Sequence, residues 1–157
     1  MSSAFRPRVR KFLVVVDRTT ECRVALRFAA RRAQHTGGRV TLLAAAAPPD
    51  FQQWRGVEAI MEDEAYAEAE AFIHAAAKTV NELAGILHEL IILQGRVTEC
   101  VSQLLKDDKD ISILILAAGT GKEGPGPLVT MFASGLQAIP VTIVPGTLND
   151  AAIDAIA

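Results

Sequence analysis

Residues 111–126 read ISILILAAGTGKEGPG, in which a continuous apolar run passes directly into a segment rich in glycine. A short run that is apolar at nearly every position is typical of a strand buried on both faces of a parallel sheet. Glycine permits positive φ angles and lets the backbone approach a ligand closely. The stretch therefore predicts a buried strand followed by a dinucleotide site, a nucleoside-phosphate site or a tight turn that holds no ligand.

Four further apolar runs of this kind accompany the first. They are KFLVVVD (11–17), RVTLLAAAA (39–47), LHELIILQG (87–95) and IPVTIVPG (139–146). Segments with helical character separate the five runs, at 19–38, 57–85, 97–108 and 127–135. Strands that alternate with helices predict an α/β fold, a doubly wound parallel sheet with helices on both faces. Ligands of such sheets bind beyond the carboxyl ends of the strands.

The composition predicts one domain, spanning residues 1–157. Half of the 157 residues are apolar, which is enough for a single core. The two cysteines, Cys22 and Cys100, have neither the spacing of a zinc site nor the density of a disulfide framework. Since no stretch approaches the ~20 apolar residues of a membrane span, we expect a cytoplasmic protein with no membrane partner.

Charge is distributed unevenly along the chain. Residues 1–39 carry ten basic and two acidic side chains, a net charge of +8, so the remaining chain carries −10 of the total of −2. Three of these basic residues, Arg23, Arg27 and Arg31, follow helical spacing and predict the solvated face of an amphipathic helix. We therefore expect no nucleic-acid partner. The acidic segment 58–70 could alternatively face this helix across a subunit contact.

The glycines fit two nucleotide motifs only in part. Gly119, Gly121 and Gly124 spell G-x-G-x-x-G, but that dinucleotide motif needs an acid at the end of the next strand, and the fifth strand ends without one. The phosphate-loop motif fails because Glu123 stands where Ser or Thr should follow Lys122. Lys122 is interpreted first as a loop lysine and second as a phosphate contact.

The chain resembles the universal stress protein family in the order and spacing of its segments. The segments that carry the resemblance are FLVVVD, ECRVALRFAARRAQ, GGRVTLLAA, ISILILAAGTGKEG and IPVTIVPG. The resemblance implies a five-stranded α/β domain with strand order 3-2-1-4-5, a core of about residues 10–146, a basic N-terminal arm and a short C-terminal tail. It also implies a cytoplasmic stress-response role and a homodimer paired through strand 139–145. One branch of the family binds ATP and another does not.

The nucleotide motif of the ATP-binding branch is matched in its first half only. Asp17 takes the position of the acid that ends strand one, and Gly121 and Gly124 take those of the GxxG pair. Nine residues later the required pair is inverted, as Ser134-Gly135. Either that spacing or a helix over 127–135 can survive, and we favour the helix because its loss would uncover one face of the sheet. Gly126 would cap this helix, Pro127 would be its first residue and Gly135 would end it.

The candidate nucleotide-binding residues are Asp17, Thr19, Gly119, Gly121, Lys122, Gly124 and Gly126. The resemblance implies ATP or AMP as the ligand, with Mg²⁺ if the ligand is ATP. Two alternatives stay open for these residues. Asp17 could instead cap the next helix or its turn, with Thr19 or Thr20 as the helix cap. The glycines could serve only as turn residues of a ligand-free dimer that acts through unknown protein partners.

Little in the sequence indicates catalysis. The histidines, His35, His74 and His88, lie far apart and lack metal-ligand spacing, so we predict no metal site and no catalytic residue. An enzyme is therefore the minority hypothesis, with slow ATP hydrolysis as its leading form. The tail TLNDAAIDAIA (147–157) forms either a short helix that covers a neighbouring surface or a frayed end.

Overall fold

The structure, a computed structural model, describes residues 9–47, 55–122, 124–133 and 139–157. Five strands alternate with five helices in these residues. The strands are β1 (Lys11–Val15), β2 (Arg39–Ala46), β3 (His88–Gln94), β4 (Ile111–Ala118) and β5 (Val141–Pro145). The helices are α1 (Cys22–Thr36), α2 (Arg55–Ala84), α3 (Val97–Asp107), α4 (Pro127–Ala133) and α5 (Asp150–Ile156).

The strands form one sheet in the order β3-β2-β1-β4-β5, and every pairing is parallel. This confirms the predicted doubly wound sheet and its strand order. β1 is the central strand, with Leu13 opposite Thr41 on one side and Leu114 on the other. Chain order reverses between β1 and β4, so the cleft for a ligand is expected at the carboxyl ends of these two strands.

Alternate residues of β1 point into two separate cores. Phe12 and Val14 pack with α1, α2 and α5, whereas Leu13 and Val15 pack with α3 and α4. All four side chains are buried. Because both faces of the strand are covered by helices, its positions must be apolar throughout, and this is why the sequence shows a continuous apolar run.

α1 begins after the predicted threonine caps. Its N-cap is Glu21, whose side chain makes no capping hydrogen bond. The prediction of a cap at Thr19 or Thr20 was wrong because Asp17 holds the first of them in a turn: the Thr19 backbone N–H donates to Asp17 Oδ1 at 2.8 Å. The predicted helix end is confirmed by Gly37, which takes the left-handed conformation at φ 69°.

α4 is the helix predicted before the fifth strand. The Gly126 carbonyl accepts the Thr130 backbone N–H at 3.1 Å, so Gly126 caps the helix and Pro127 is its first residue, as predicted. The predicted stop at Gly135 falls in 134–138, outside the described residues. The chain has therefore kept the helix at the position where the nucleotide motif departs from its usual spacing.

The tail forms a short helix, α5. Its N-cap is Asn149, whose side-chain oxygen accepts the Ala152 backbone N–H at 2.9 Å. Ile153 is 0% exposed and belongs to the core that contains α1. Of the two interpretations of the tail, the helix that covers a neighbouring surface is confirmed.

α5 covers the arginines of α1. Arg27 donates two hydrogen bonds to Asp154, at 2.8 and 2.7 Å, and Arg31 donates to the same carboxylate at 3.2 Å. Arg23 donates to Asp150 at 2.9 Å. The side chains of Arg27 and Arg31 are only 19% and 24% exposed, so the predicted solvated face was wrong for both. The reason is that α5 presents two carboxylates one helical turn apart, which matches the spacing of the arginines.

These arginines hold the pKa of Asp154 well below its ordinary value of 3.8, at about 2, chiefly through the hydrogen bond from Arg27 and then that from Arg31. A carboxyl group whose pKa is lower in the folded protein contributes stability above its unfolded pKa. The contribution of Asp154 is therefore complete above pH 4 and is lost as the pH falls through about 2.

A second ion-pair cluster lies at the amino end of the sheet. Lys11 of β1 pairs with Glu89 of β3 and with Asp108, which follows α3. Thr41, which is fully buried, donates its hydroxyl hydrogen to Glu89 at 2.9 Å. Burial alone would lower the pKa of Lys11, but the hydrogen bonds to Asp108 and Glu89 outweigh it and raise the pKa above 10.5. The cluster links β1, β2 and β3 to the end of α3.

Candidate functional site

A half-open cavity of about 330 Å³ lies at the carboxyl ends of β1, β2 and β4. Its walls are the turn between β1 and α1, the last residues of β2 and β4, the middle of α2 and the start of α4. This is the switch point of the sheet, where doubly wound folds bind their ligands. The volume falls within the range of about 300–1,000 Å³ that small-molecule sites occupy.

Most of the cavity wall is apolar. Small side chains come from the strand ends and from α2, including Ala44, Ala45 and Ala69. Phe72 of α2 and Ile115 of β4 add larger apolar surface. A flat, mostly apolar ring suits such a wall, with a few polar groups to set its orientation.

The structure divides the predicted site residues into two groups. Asp17, Thr19 and Gly126 line the cavity. The remaining four lie in the loop after β4 and do not line it: Gly119, Gly121, Lys122 and Gly124. The last three of these are exposed. A ligand seated in the cavity would reach these four residues only with a group that extends out of the cavity.

The glycine loop closes on itself. The Gly119 N–H donates to the Pro125 carbonyl at 3.0 Å, and the Gly124 N–H donates to the Gly121 carbonyl at 3.3 Å. Gly124 and Gly126 have positive φ angles of 89° and 108°, which other residues adopt only with strain. These conformations suit a tight turn, and two of the loop amides are already occupied.

Charged side chains at the cavity include several that sequence reasoning missed. Arg18 pairs with Glu68 of α2, and its guanidinium carbon lies 5.4 Å from the centroid of the Phe72 ring. Glu21, at the start of α1, also lines the cavity. Glu21 follows the end of β1 by only a few residues, so its place in the sequence could have identified it as a cavity residue. Glu68 and Phe72 had none, because local pattern does not show where along α2 the strand ends meet it.

Cys22 also lines the cavity. Burial raises the pKa of its thiol to about 11. Its sulfur donates to the Val15 carbonyl at 3.7 Å. Because the neutral thiol is not a nucleophile, Cys22 contributes packing surface to the cavity and no reactivity at neutral pH.

No cluster of three or more His, Cys, Asp or Glu side chains capable of holding a metal ion occurs in the described part of the chain. Within that part, no helix combines the length and the apolar character that crossing a membrane requires.

The chain is similar to known proteins in both sequence and fold. A model of the universal stress protein family matches residues 8–126. No curated protein matches the sequence. Among solved structures, the universal stress protein UspA from Lactobacillus plantarum superposes with a TM-score of 0.74 at 16% identity, covering 88% of this chain and 99% of that one.

Two further structures of similar fold contain adenine nucleotides. A universal stress protein family protein from Arabidopsis thaliana with AMP bound has a TM-score of 0.61 at 16% identity, covering 87% of this chain and 91% of that one. The universal stress protein from Archaeoglobus fulgidus in complex with dAMP has a TM-score of 0.63 at 18% identity, covering 88% of this chain and 99% of that one. At these identities the superpositions establish the fold alone.

Proposed function

The chain belongs to the universal stress protein family, and on that premise we propose that it is a cytoplasmic, dimeric stress-response regulator that binds an adenine nucleotide weakly. The observation that carries the proposal is the cavity of about 330 Å³ at the switch point of the sheet. Binding of AMP or ATP, the latter with Mg²⁺, changes the surface offered to a protein partner. We assign no catalytic residue to the chain.

Asp17, Thr19 and Gly126 line the cavity, which supports a role for these three of the seven candidate residues in holding the base and ribose. The loop glycines and Lys122 would meet phosphate groups that extend outwards. Structures of relatives with AMP and dAMP support an adenine nucleotide as the ligand. Weak binding is expected because the Gly119 and Gly124 amides already donate within the loop.

Adenine nucleotides are expected to raise the melting temperature of the purified, nucleotide-stripped protein. At ten times the dissociation constant the rise should be about 3–6 °C. Ala65 of α2 lines the cavity and Ala71 of the same helix is exposed, so Ala65→Leu should abolish the rise and Ala71→Leu should preserve it. Guanine nucleotides serve as the ligand control. No rise with AMP, ADP or Mg-ATP would overturn nucleotide binding.

A second candidate function, a ligand-free interaction module, is favoured by one observation. The Gly119 and Gly124 amides need no ligand as a partner, since the Pro125 and Gly121 carbonyls of the same loop accept them. In that case the surface that this protein offers to a partner does not change, and the dimer without ligand is the functional unit. The melting experiment separates the two functions, because only the first responds to nucleotide.

The proposed homodimer pairs residues 139–145 of two copies. Among the described residues β5 pairs with β4 and forms the edge of the sheet, with Ile143 42% exposed. Exposed apolar edge strands readily pair with a symmetry mate. Sedimentation at micromolar concentration should give the mass of a dimer, which Ile143→Lys should reduce to a monomer. Ile156→Lys, at an exposed position on α5, should leave the dimer intact. An unmodified chain that sediments as a monomer would refute the dimer.

A further inference from the structure

We propose that the cavity selects against negative charge, so that it binds adenosine more tightly than AMP, and AMP more tightly than ATP. The carboxylate of Glu21 sets this order, because it lies between the start of α1 and the glycine loop, where the phosphates of a nucleotide would pass. This inference rests on the proposed adenine-binding function and specifies which adenine compounds the site prefers.

The position of Glu21 follows from its backbone and from two neighbouring glycines. Its side chain makes no capping hydrogen bond to α1. Instead, Oε1 lies 3.2 Å from the point that a Cβ atom would occupy on Gly119, in the loop after β4. The Cβ atom of Glu21 lies 3.2 Å from the same point on Gly146, after β5. The carboxylate therefore lies against the loop after β4, while the residue also lines the cavity.

The acid at the N-cap of α1 changes how the start of this helix interacts with an anion. The N-terminus of a helix normally attracts anions through its positive dipole end and its free amides. Here the residue at the N-cap is itself an acid, Glu21. The backbone amides of Cys22 and Val24 donate within the chain, to Thr19 at 3.3 Å and to Glu21 at 2.9 Å. A phosphate that approaches α1 therefore meets a like charge and amides that are already in use.

The other charges at the cavity do not compensate for Glu21. Among the described residues that line it, Asp17, Glu21 and Glu68 are acidic and Arg18 is basic. Arg18 pairs with Glu68, which leaves two carboxylates without a cationic partner in the lining. Lys122 is exposed and lies outside the lining. The net charge that the described lining presents to a ligand is thus negative.

Hydrogen-bonding chemistry favours the same ligand as the charge does. An ionised carboxylate only accepts hydrogen bonds, and an ionised phosphate likewise has only acceptor oxygens. A nucleoside instead offers hydroxyl and amino donors together with a flat ring for the apolar wall. Adenosine therefore complements both the acids and the apolar surface of the lining, whereas each added phosphate brings more negative charge towards Glu21.

Calorimetric titration with adenosine, AMP and Mg-free ATP tests the order of affinity. The unmodified protein should bind them in that order, with a loss on the order of fivefold for each added unit of charge. Glu21→Gln should strengthen ATP binding about tenfold and change adenosine binding less than twofold. Glu21→Asp keeps the charge and should keep the order. Glu82→Gln removes an exposed acid near the far end of α2 and should change nothing.

The outcomes distinguish this inference from the function on which it rests. ATP binding more tightly than adenosine to the unmodified protein overturns the inference and leaves nucleotide binding standing. An equal gain for all three ligands in Glu21→Gln also overturns it, because the side chain would then act through shape. No binding of any adenine compound overturns both. Since Glu21 makes no capping bond, the variant should melt near the temperature of the parent, which excludes unfolding as the cause.

Discussion

Replacement of Gly146 by alanine is expected to lower the free energy of unfolding by about 3 kcal/mol. A Cβ atom on Gly146 would lie 2.2 Å from the carbonyl oxygen of Ala118. That oxygen cannot move away easily, because Ala118 is fixed in the sheet opposite Pro145. The same Cβ would also approach Thr120 at 3.3 Å. The structure can accommodate the methyl group only by separating the ends of β4 and β5.

Chemical denaturation of the two proteins measures this loss. The matched control is Gly121→Ala, since no atom lies within 4 Å of a Cβ atom on Gly121. Its free energy of unfolding should stay within about 0.5 kcal/mol of the parent value. If both variants lost the same stability, the loss would come from the backbone preference of glycine. The close approach to Ala118 would then not be its cause.

The Lys11→Met variant is expected to lose about 2 kcal/mol of stability at pH 7. The methionine side chain replaces the methylene groups of Lys11, but Glu89 and Asp108 lose the cation that they share. The loss is smaller than for a fully buried pair because Glu89 is 46% exposed. Water can therefore take over part of the solvation of one of the two carboxylates.

The loss should depend on pH in a defined direction. Burial alone would raise the pKa of Asp108, but the hydrogen bond from Lys11 outweighs it and the pKa lies below the ordinary 3.8. A carboxyl group with a lowered folded pKa contributes stability above its unfolded pKa and loses it as the pH falls through the folded value. The raised pKa of Lys11 keeps its contribution complete up to pH 10.5. The difference between parent and variant should thus be largest between about pH 4 and 10.

Urea denaturation at pH 7 and at pH 3 checks both parts of this prediction. Lys78→Met is the control, because Lys78 is 79% exposed and reaches its helical neighbour Glu82 only at 4.0 Å. It should change the free energy of unfolding by less than about 0.5 kcal/mol at either pH. A Lys11→Met loss that is equal at the two pH values would point to lost packing of the side chain and away from the ion pairs.

The fold could be predicted because its information is local. The runs KFLVV and ISILILAA are apolar throughout, and only a strand covered on both faces requires that. Helical periodicity between the runs then gives parallel strands and helices on both faces. Gly126 before Pro127 marked the start of α4, and Asp17 marked the end of a strand at the cavity. Each of these signals lies within a few residues of the feature that it predicts.

Two features that the sequence did not predict depend on contacts between residues that are distant in the sequence. The spacing of Arg27 and Arg31 shows that they share a polar face of α1, but it cannot show that Asp154 covers that face. Glu68 reaches the cavity because α2 crosses the sheet at a particular height, which depends on packing. The threonine cap failed for a local reason: Asp17 could bond the Thr19 amide in a turn, and sequence alone does not rank that turn against a cap.

The pairing of α5 with α1 also has a consequence for how the protein is made. Arg27 and Asp154 are 127 residues apart in the chain. At about 5–20 residues per second, a ribosome needs about 6–25 s to add that length. During this time the nascent α1 can fold against β1 and β2, but its arginines lack the carboxylates that later cover them. Arg27 and Arg31 therefore acquire their shared carboxylate partner only when synthesis reaches the last helix.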